Sequence, residues 1–234
     1  MSICEFKFSS REQMLNALYE HTLEILETGI KHNAQVSLFL SGGSTPGPLY
    51  KALAEAPLDW EKVAVALVDE RWVAADHNAS NEKLIGETLL AGTAQPIFTG
   101  MKNAADTATD GLTECENAYR ALPEPYAVSL LGMGPDGHTA SLFPYAEGLA
   151  DALDTQNTCA AIYPTKSDVT GEYVERMSMT PSALLNSQRL ILIITGDDKW
   201  DVYQQAKRAE DVQAMPVALF LQQDKTPIDV YWAP

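Results

Sequence analysis

The sequence predicts an α/β protein with a mainly parallel central sheet and helices on both faces. Three observations carry that expectation. Short apolar runs at 36–40, 63–68, 127–131 and 190–194 read as buried strands, and the alternating run 228–232 as a last one. The stretches between them are too long for hairpins and contain segments of helical periodicity. A glycine-rich segment follows directly on the 127–131 run, where α/β sheets place their ligands.

The elements follow in order. Ser10-Arg11-Glu12-Gln13 has the form of a capping box, and it opens a helix in which Met14, Leu18 and Ile25 recur at roughly helical spacing. Gly29 is its expected stop. Val36–Leu40 is a short strand. Pro46 suits a helix start, with Leu49, Tyr50 and Leu53 on one side. Val63–Val68 is a second strand. Ser80 caps a helix running to about Leu90, and 106–122 is another helix. After the strand Ala127–Leu131, 158–162 and 175–179 are weaker strand candidates, and 181–185 is a short helix. Leu190–Ile194 is a strand and 197–209 a helix. The run 217–221 is ambiguous, with a helix end as its reading, and 228–232 is the last strand. Pro123-Glu124-Pro125 and 148–157 read as loops. With no repeat, low-complexity tract or linker, one domain over residues 1–234 is expected.

Composition excludes several classes. The net charge of −16 lacks the basic footprint of a nucleic-acid surface. It does not exclude an anionic small molecule, because backbone N–H groups and a few local cations can hold one phosphate against a negative global field. No apolar run approaches the roughly 20 residues of a membrane span. Met1 to Lys7 lacks a charged stretch followed by an apolar one, so no signal peptide is expected. Cys4, Cys115 and Cys159 are odd in number, widely spaced and without zinc spacing, which suggests reduced thiols in the cytoplasm. His21, His32 and His77 show no ligand spacing, and no helix opens with a dinucleotide-binding glycine pattern, so neither metal nor cofactor is expected.

Chemistry concentrates in two strand-end loops. Ser41-Gly42-Gly43-Ser44-Thr45-Pro46 lies between a strand and a helix, a geometry that offers backbone N–H groups to an anion, with the Ser44 and Thr45 hydroxyls beside them. The alternative is a tight capped turn. It is not a nucleotide loop, because G-K-[ST] is absent. In the second loop, Gly132, Gly134, Asp136, Gly137 and His138 fall within seven residues. A histidine there can act as a base near neutral pH. Asp136 orients His138, accepts a substrate hydroxyl or caps the turn, since Pro-Asp-Gly is good turn chemistry. Backbone N–H groups of 132–137 are candidate oxyanion donors. Arg71, Arg176 and Lys199 lie near strand ends, where a cation can hold a phosphate. The competing reading is an ion pair of Arg71 with Asp69 or Glu70, and solvated charge for Lys199. Asp69 is a second strand-end carboxylate. Trp72 is open between a pocket wall and core packing. Ser141 is not a nucleophile elbow and is expected to initiate a helix.

Leu130 to Pro144 resembles the signature of the 6-phosphogluconolactonase family, close to G-x-G-x-D-G-H-T-A-S-L-F-P. Five further pieces fit in family order: Ser41–Pro46 resembles its phosphate loop, Asp69–Val73 its D-E-R-x-V motif, Ser80-Asn81 its S-N pair, Arg176–Thr180 its R-[ILVM]-[ST]-x-T segment, and Gly196 with Lys199 its G-x-x-K element. The resemblance implies a Rossmann-like fold of the sugar-phosphate isomerase type and hydrolysis of 6-phospho-D-glucono-1,5-lactone, in the oxidative pentose phosphate pathway. It implies His138 as base, with Arg71, Arg176 and Lys199 on the sugar phosphate. The expected partner is this small molecule alone, and the expected state a monomer. Glucosamine-6-phosphate deaminases resemble the same pattern, but their loop ends in F-N-E-P with a glutamate that pairs with the histidine. Here Ser141-Leu142-Phe143-Pro144 stands instead, and Asp69-Glu70-Arg71 replaces their D-E-Y. A sugar-phosphate sensor of a transcription regulator would carry a helix-turn-helix ahead of the first core strand, where only one helix is expected.

Overall fold

A computed structural model describes residues 3–124 and 126–234. Met1, Ser2 and Pro125 lie outside the described residues, and with them the loop expected at Pro125. The chain runs β1 (Ile3–Lys7), α1 (Arg11–His32), β2 (Val36–Leu40), α2 (Gly47–Leu53), β3 (Val63–Leu67), β4 (Asp69–Arg71), α3 (Asn81–Glu87), β5 (Ile97–Thr99) and α4 (Ala108–Arg120). It continues with β6 (Val128–Gly132), α5 (Leu149–Asp154), β7 (Cys159–Ile162), β8 (Arg176–Met179), α6 (Pro181–Leu184), β9 (Leu190–Thr195), α7 (Asp197–Ala206), α8 (Val217–Gln222) and β10 (Ile228–Ala233).

Seven strands form a parallel sheet in the order β1-β10-β9-β6-β2-β3-β5, flanked by helices. The apolar runs form its centre: every residue of β2 and β3 is buried, as expected where both faces are covered. From β2 the chain moves outward through β3 to β5, then returns to the other side of β2 as β6 and continues to β9 and β10. The carboxyl ends of β2 and β6 therefore flank the topological switch point, where such sheets open a crevice.

A second, antiparallel sheet of order β4-β8-β7 stands beside the first. Only Val68 separates β3 from β4. Its N–H donates to Leu40 O of β2 at 3.0 Å, and its carbonyl accepts from Met179 N of β8 at 2.8 Å.

The Ser10 hydroxyl caps α1 by accepting from Gln13 N, and Met14, Leu18, Thr22, Leu26 and Gly29 form the buried stripe. Ile25 is only partly buried. Gly29 is not the stop: it faces the core inside α1, where a Cβ would lie 2.8 Å from Val36 Cγ1. The glycine lets helix and strand meet. β1 and β5 are edge strands, β1 with largely exposed and β5 with exposed or half-buried side chains, so neither carries a buried apolar run. Segment 148–157 contains α5, held by buried Leu149 and Ala152, rather than only loop. The 217–221 run is helical. α3 and α7 end earlier than their periodicity suggests, at Glu87 and Ala206. Among the described residues, no helix is long and apolar enough to cross a membrane.

Candidate active site

A cavity of about 620 Å³ opens at the switch point. The turn after β2 supplies Ser41, Gly42, Gly43, Ser44, Thr45 and Pro46, β4 supplies Asp69 and Arg71, and the loop after β6 supplies Gly132, Gly134 and His138. Lys199 closes it from the first turns of α7. Eleven of the expected site residues thus line one cavity. Asp136, Gly137 and Arg176 stand behind the wall.

The loop after β6 is a tight, self-bonded turn. Gly134 N donates to His138 O at 2.9 Å and Gly137 N to Gly134 O at 3.1 Å. Those two N–H groups are spent inside the turn, so the expected oxyanion role does not extend to them. Gly137 takes φ +78, a left-handed value that suits glycine. Asp136 both turns the loop and orients the histidine. Its Oδ1 accepts from His138 N at 3.1 Å and lies 2.5 Å from His138 Nδ1. With Nδ1–H donating to the carboxylate, the unprotonated nitrogen is Nε2, which has no hydrogen-bond partner among the described residues. Burial pushes the Asp136 carboxyl up, but the hydrogen bonds and charge of His138 outweigh it and hold it below the usual carboxylate range. Phe143 stacks on the imidazole, ring centroids 4.1 Å apart.

Asp69 is buried at the cavity wall. Its Oδ2 accepts from the Ser141 hydroxyl at 2.5 Å, and Ser141 N donates to Ser178 Oγ at 3.3 Å. Ser141 therefore starts no helix; it sits in a turn and joins the His138 loop to β4 and β8.

Asp69-Glu70-Arg71 follows the end of β3, as expected, and is in addition a strand of its own, because it pairs with β8. Arg71 makes no ion pair with Asp69 or Glu70 among the described residues. Its Nη1 donates to Ala79 O and to Asn81 Oδ1, each at 3.0 Å. Its cross-strand neighbour is Arg176, which is 4 % exposed and donates from Nη2 to Thr170 O at 2.8 Å. Burial, then the charge of Arg71, pulls Arg176 down to about 10. The Nε atoms of both arginines are buried without a partner, so neither guanidinium is satisfied by the protein alone. Burial and the charge of Arg11 lower the Lys199 ammonium, against the opposing charge of Asp136.

Asn81, Ala140, Asp168 and Val169 also line the cavity. Asn81 was legible only as half of the S-N pair, and 168–169 carried no signal. Asn81 Nδ2 donates to Asp69 O at 2.8 Å, and its Oδ1 occupies the space a Cβ on Gly42 would need. Trp72 is core packing rather than pocket wall: its indole N–H donates to Ala105 O at 3.2 Å and its ring fills the space over Gly111. α5 and the residues beside it line a separate cavity of about 290 Å³. Among the described residues, no three His, Cys, Asp or Glu side chains are grouped to hold a metal ion.

A basic nitrogen, Arg71, Lys199 and a glycine-rich turn thus line one cavity, with a fixed carboxylate and Arg176 behind its wall. The arrangement can hold an anionic sugar at one end and move a proton at the other.

The model of the family glucosamine-6-phosphate isomerases/6-phosphogluconolactonase matches residues 9–232. A 6-phosphogluconolactonase of Rhizobium meliloti is 36 % identical over 228 residues, 97 % of each chain. One of Pseudomonas putida is 37 % identical over 212 residues, 90 % of this chain and 85 % of that one. The crystal structure of a 6-phosphogluconolactonase from Shewanella baltica superposes with a TM-score of 0.94 at 38 % identity, covering 99 % of this chain and 98 % of the other. By sequence and by structure, the chain belongs to the glucosamine-6-phosphate isomerase/6-phosphogluconolactonase family.

Proposed function

We propose that the chain is a 6-phosphogluconolactonase, converting 6-phospho-D-glucono-1,5-lactone and water to 6-phosphogluconate. The observation that carries this reading is the Asp136–His138 pair facing a cavity that also holds Arg71 and the Ser41–Pro46 turn. Similarity to 6-phosphogluconolactonases over nearly the whole chain supports it.

A δ-lactone is an activated ester, so no covalent nucleophile is needed. Asp136 holds His138 with Nε2 free. Nε2 takes a proton from water, and the hydroxide attacks lactone C1. The resulting imidazolium is stabilised by Asp136. It returns the proton to the ring oxygen as the tetrahedral intermediate opens, which regenerates the neutral base. Arg71, with the hydroxyls and N–H groups of 41–45, holds the phosphate, and Arg176 beside it adds its charge from behind the wall; the two unpartnered Nε atoms support an anion near them. Lys199 is the third cation on that anion or on the carboxylate product. Asp69, with one oxygen on Ser141, offers the other to a sugar hydroxyl. Asp136, Gly137 and Arg176 act from behind the wall. The glutamate of the deaminase pattern has Phe143 at its position, stacked on His138, which favours hydrolysis over that chemistry. The three free thiols fit a reducing compartment, the cytoplasm.

The test is hydrolysis of the lactone, made in situ from glucose 6-phosphate, beside a no-enzyme blank because the lactone also opens spontaneously. A wild-type rate well above blank that His138→Ala abolishes is the expected result. A wild-type rate equal to blank defeats the reading.

A further inference from the structure

Glu70 lies between Asp69 and Arg71 on β4 and is completely buried. Side chains alternate along a strand, so it faces away from the cavity that its two neighbours line. No Lys, Arg or His lies within ion-pair distance among the described residues. Four donors hold it instead. Oε1 accepts from Arg71 N at 2.7 Å and Asn81 N at 2.8 Å; Oε2 accepts from Ser80 Oγ and Glu82 N, each at 2.9 Å. Burial pushes this carboxyl above its usual range, against those four bonds.

Three of the donors belong to the cap and first turn of α3, so the carboxylate clamps the start of α3 onto β4. Asn81 is the first residue of that helix. Its side chain meets three walls of the cavity at once: it accepts from Arg71, donates to the Asp69 carbonyl and abuts Gly42. Where Asn81 stands therefore fixes how far the Arg71 guanidinium lies from the Ser41–Pro46 turn. A glutamine at 70 cannot replace the carboxylate, because its amide nitrogen would face at least one N–H donor.

We propose that Glu70 is a positioning residue which, through α3 and Asn81, sets the Arg71 guanidinium against the Ser41–Pro46 turn and so sets affinity for the phosphorylated end of the substrate. This rests on the lactonase reading above. A merely structural Glu70 would, when changed, lower the amount of folded protein and leave KM alone. A positioning Glu70 splits the constants.

In Glu70→Gln we expect KM for the lactone, and the inhibition constant of inorganic phosphate, to rise together by about tenfold, the loss of roughly one charged hydrogen bond. The kcat stays within about threefold, since His138 and Asp136 are untouched. In an Arg71→Ala background the same change adds no further rise if Glu70 acts through Arg71. Wild-type KM and phosphate inhibition in Glu70→Gln, or fully additive effects with Arg71→Ala, overturn the proposal. If Glu70→Gln does not fold, Ser80→Ala removes one of the four donors and must raise KM in the same direction; an unchanged KM there overturns it too. If the wild type does not hydrolyse the lactone, the lactonase reading has failed, and calorimetric titration of inorganic phosphate into wild type and variant still decides whether Glu70 sets anion affinity.

Discussion

Gly134 approaches His138 so closely that a Cβ on it would lie 2.1 Å from both Cε1 and Nδ1 of the imidazole, and 2.7 Å from Asp136 Oδ1. The hydrogen-bonded pair occupies the space of a missing side chain. Gly134→Ala should therefore push the ring off Asp136. We expect kcat to fall by about 10²-fold or more, within the range a general base contributes, with the protein still folded by circular dichroism. Near-wild-type kcat would show that the pair is not needed in this geometry.

Asp136→Asn keeps the shape but offers an amide to Nδ1. The expected outcome is a kcat lowered by at least about tenfold with KM nearly unchanged, as for loss of a group that fixes tautomer and stabilises imidazolium. Steady-state kinetics on the lactone, corrected for spontaneous opening, check it.

The same carboxyl makes a pH prediction. Its folded-state pKa is depressed, so its stabilisation is present above the ordinary value of 3.8 and is lost as pH falls through the lower folded value. The wild type should unfold at a higher temperature than Asp136→Asn between pH 5 and 7, and the gap should narrow toward pH 3. A gap that widens on acidification contradicts this.

Arg71→Ala removes a cation at the cavity wall. Hydrogen bonds to charged groups contribute about 1.5–3 kcal/mol, so KM should rise roughly 10- to 100-fold while kcat changes little. Equal losses in kcat would place Arg71 at the reacting carbon instead.

Gly29→Ala and Gly86→Ala should move stability in opposite directions. At Gly29 the added methyl meets Val36 at 2.8 Å, an overpacking that costs about 1–3 kcal/mol. At exposed Gly86 in α3 nothing lies within 4 Å, and alanine gains up to about 1 kcal/mol of helix propensity. Thermal unfolding of the two variants beside wild type decides both.

These residues also show what was legible in the sequence. β2, β3, β6 and β9 are fully or nearly fully buried, so each is mainly apolar, with Ser37 and Ser129 the polar residues inside β2 and β6. Asp136, His138 and the 41–46 turn were legible because loops at strand ends keep their chemistry within a few consecutive residues. β1 and β5 were hidden because an edge strand needs no apolar pattern. β4 was hidden because a charged triplet becomes a strand only through its pairing with β8, a partner about a hundred residues away. Asn81 and Glu70 are the clearest cases. A buried carboxylate ringed by N–H donors has the same local sequence as a solvated one, and only the packing of α3 on β4 distinguishes them.

Val68 joins the two sheets by main-chain bonds alone, its donor to Leu40 and its acceptor to Met179. His138 and Lys199 hang from the parallel sheet, Asp69 and Arg71 from the antiparallel one. The cleft between His138 and Arg71 therefore spans two sheets whose main chains meet at Val68, with Ser141 as a second tie through Asp69 and Ser178. The Val68 side chain is itself fully buried in the core, so a larger residue there would press on the joint. Proline, which lacks the N–H, is the replacement that would cut one of its two threads.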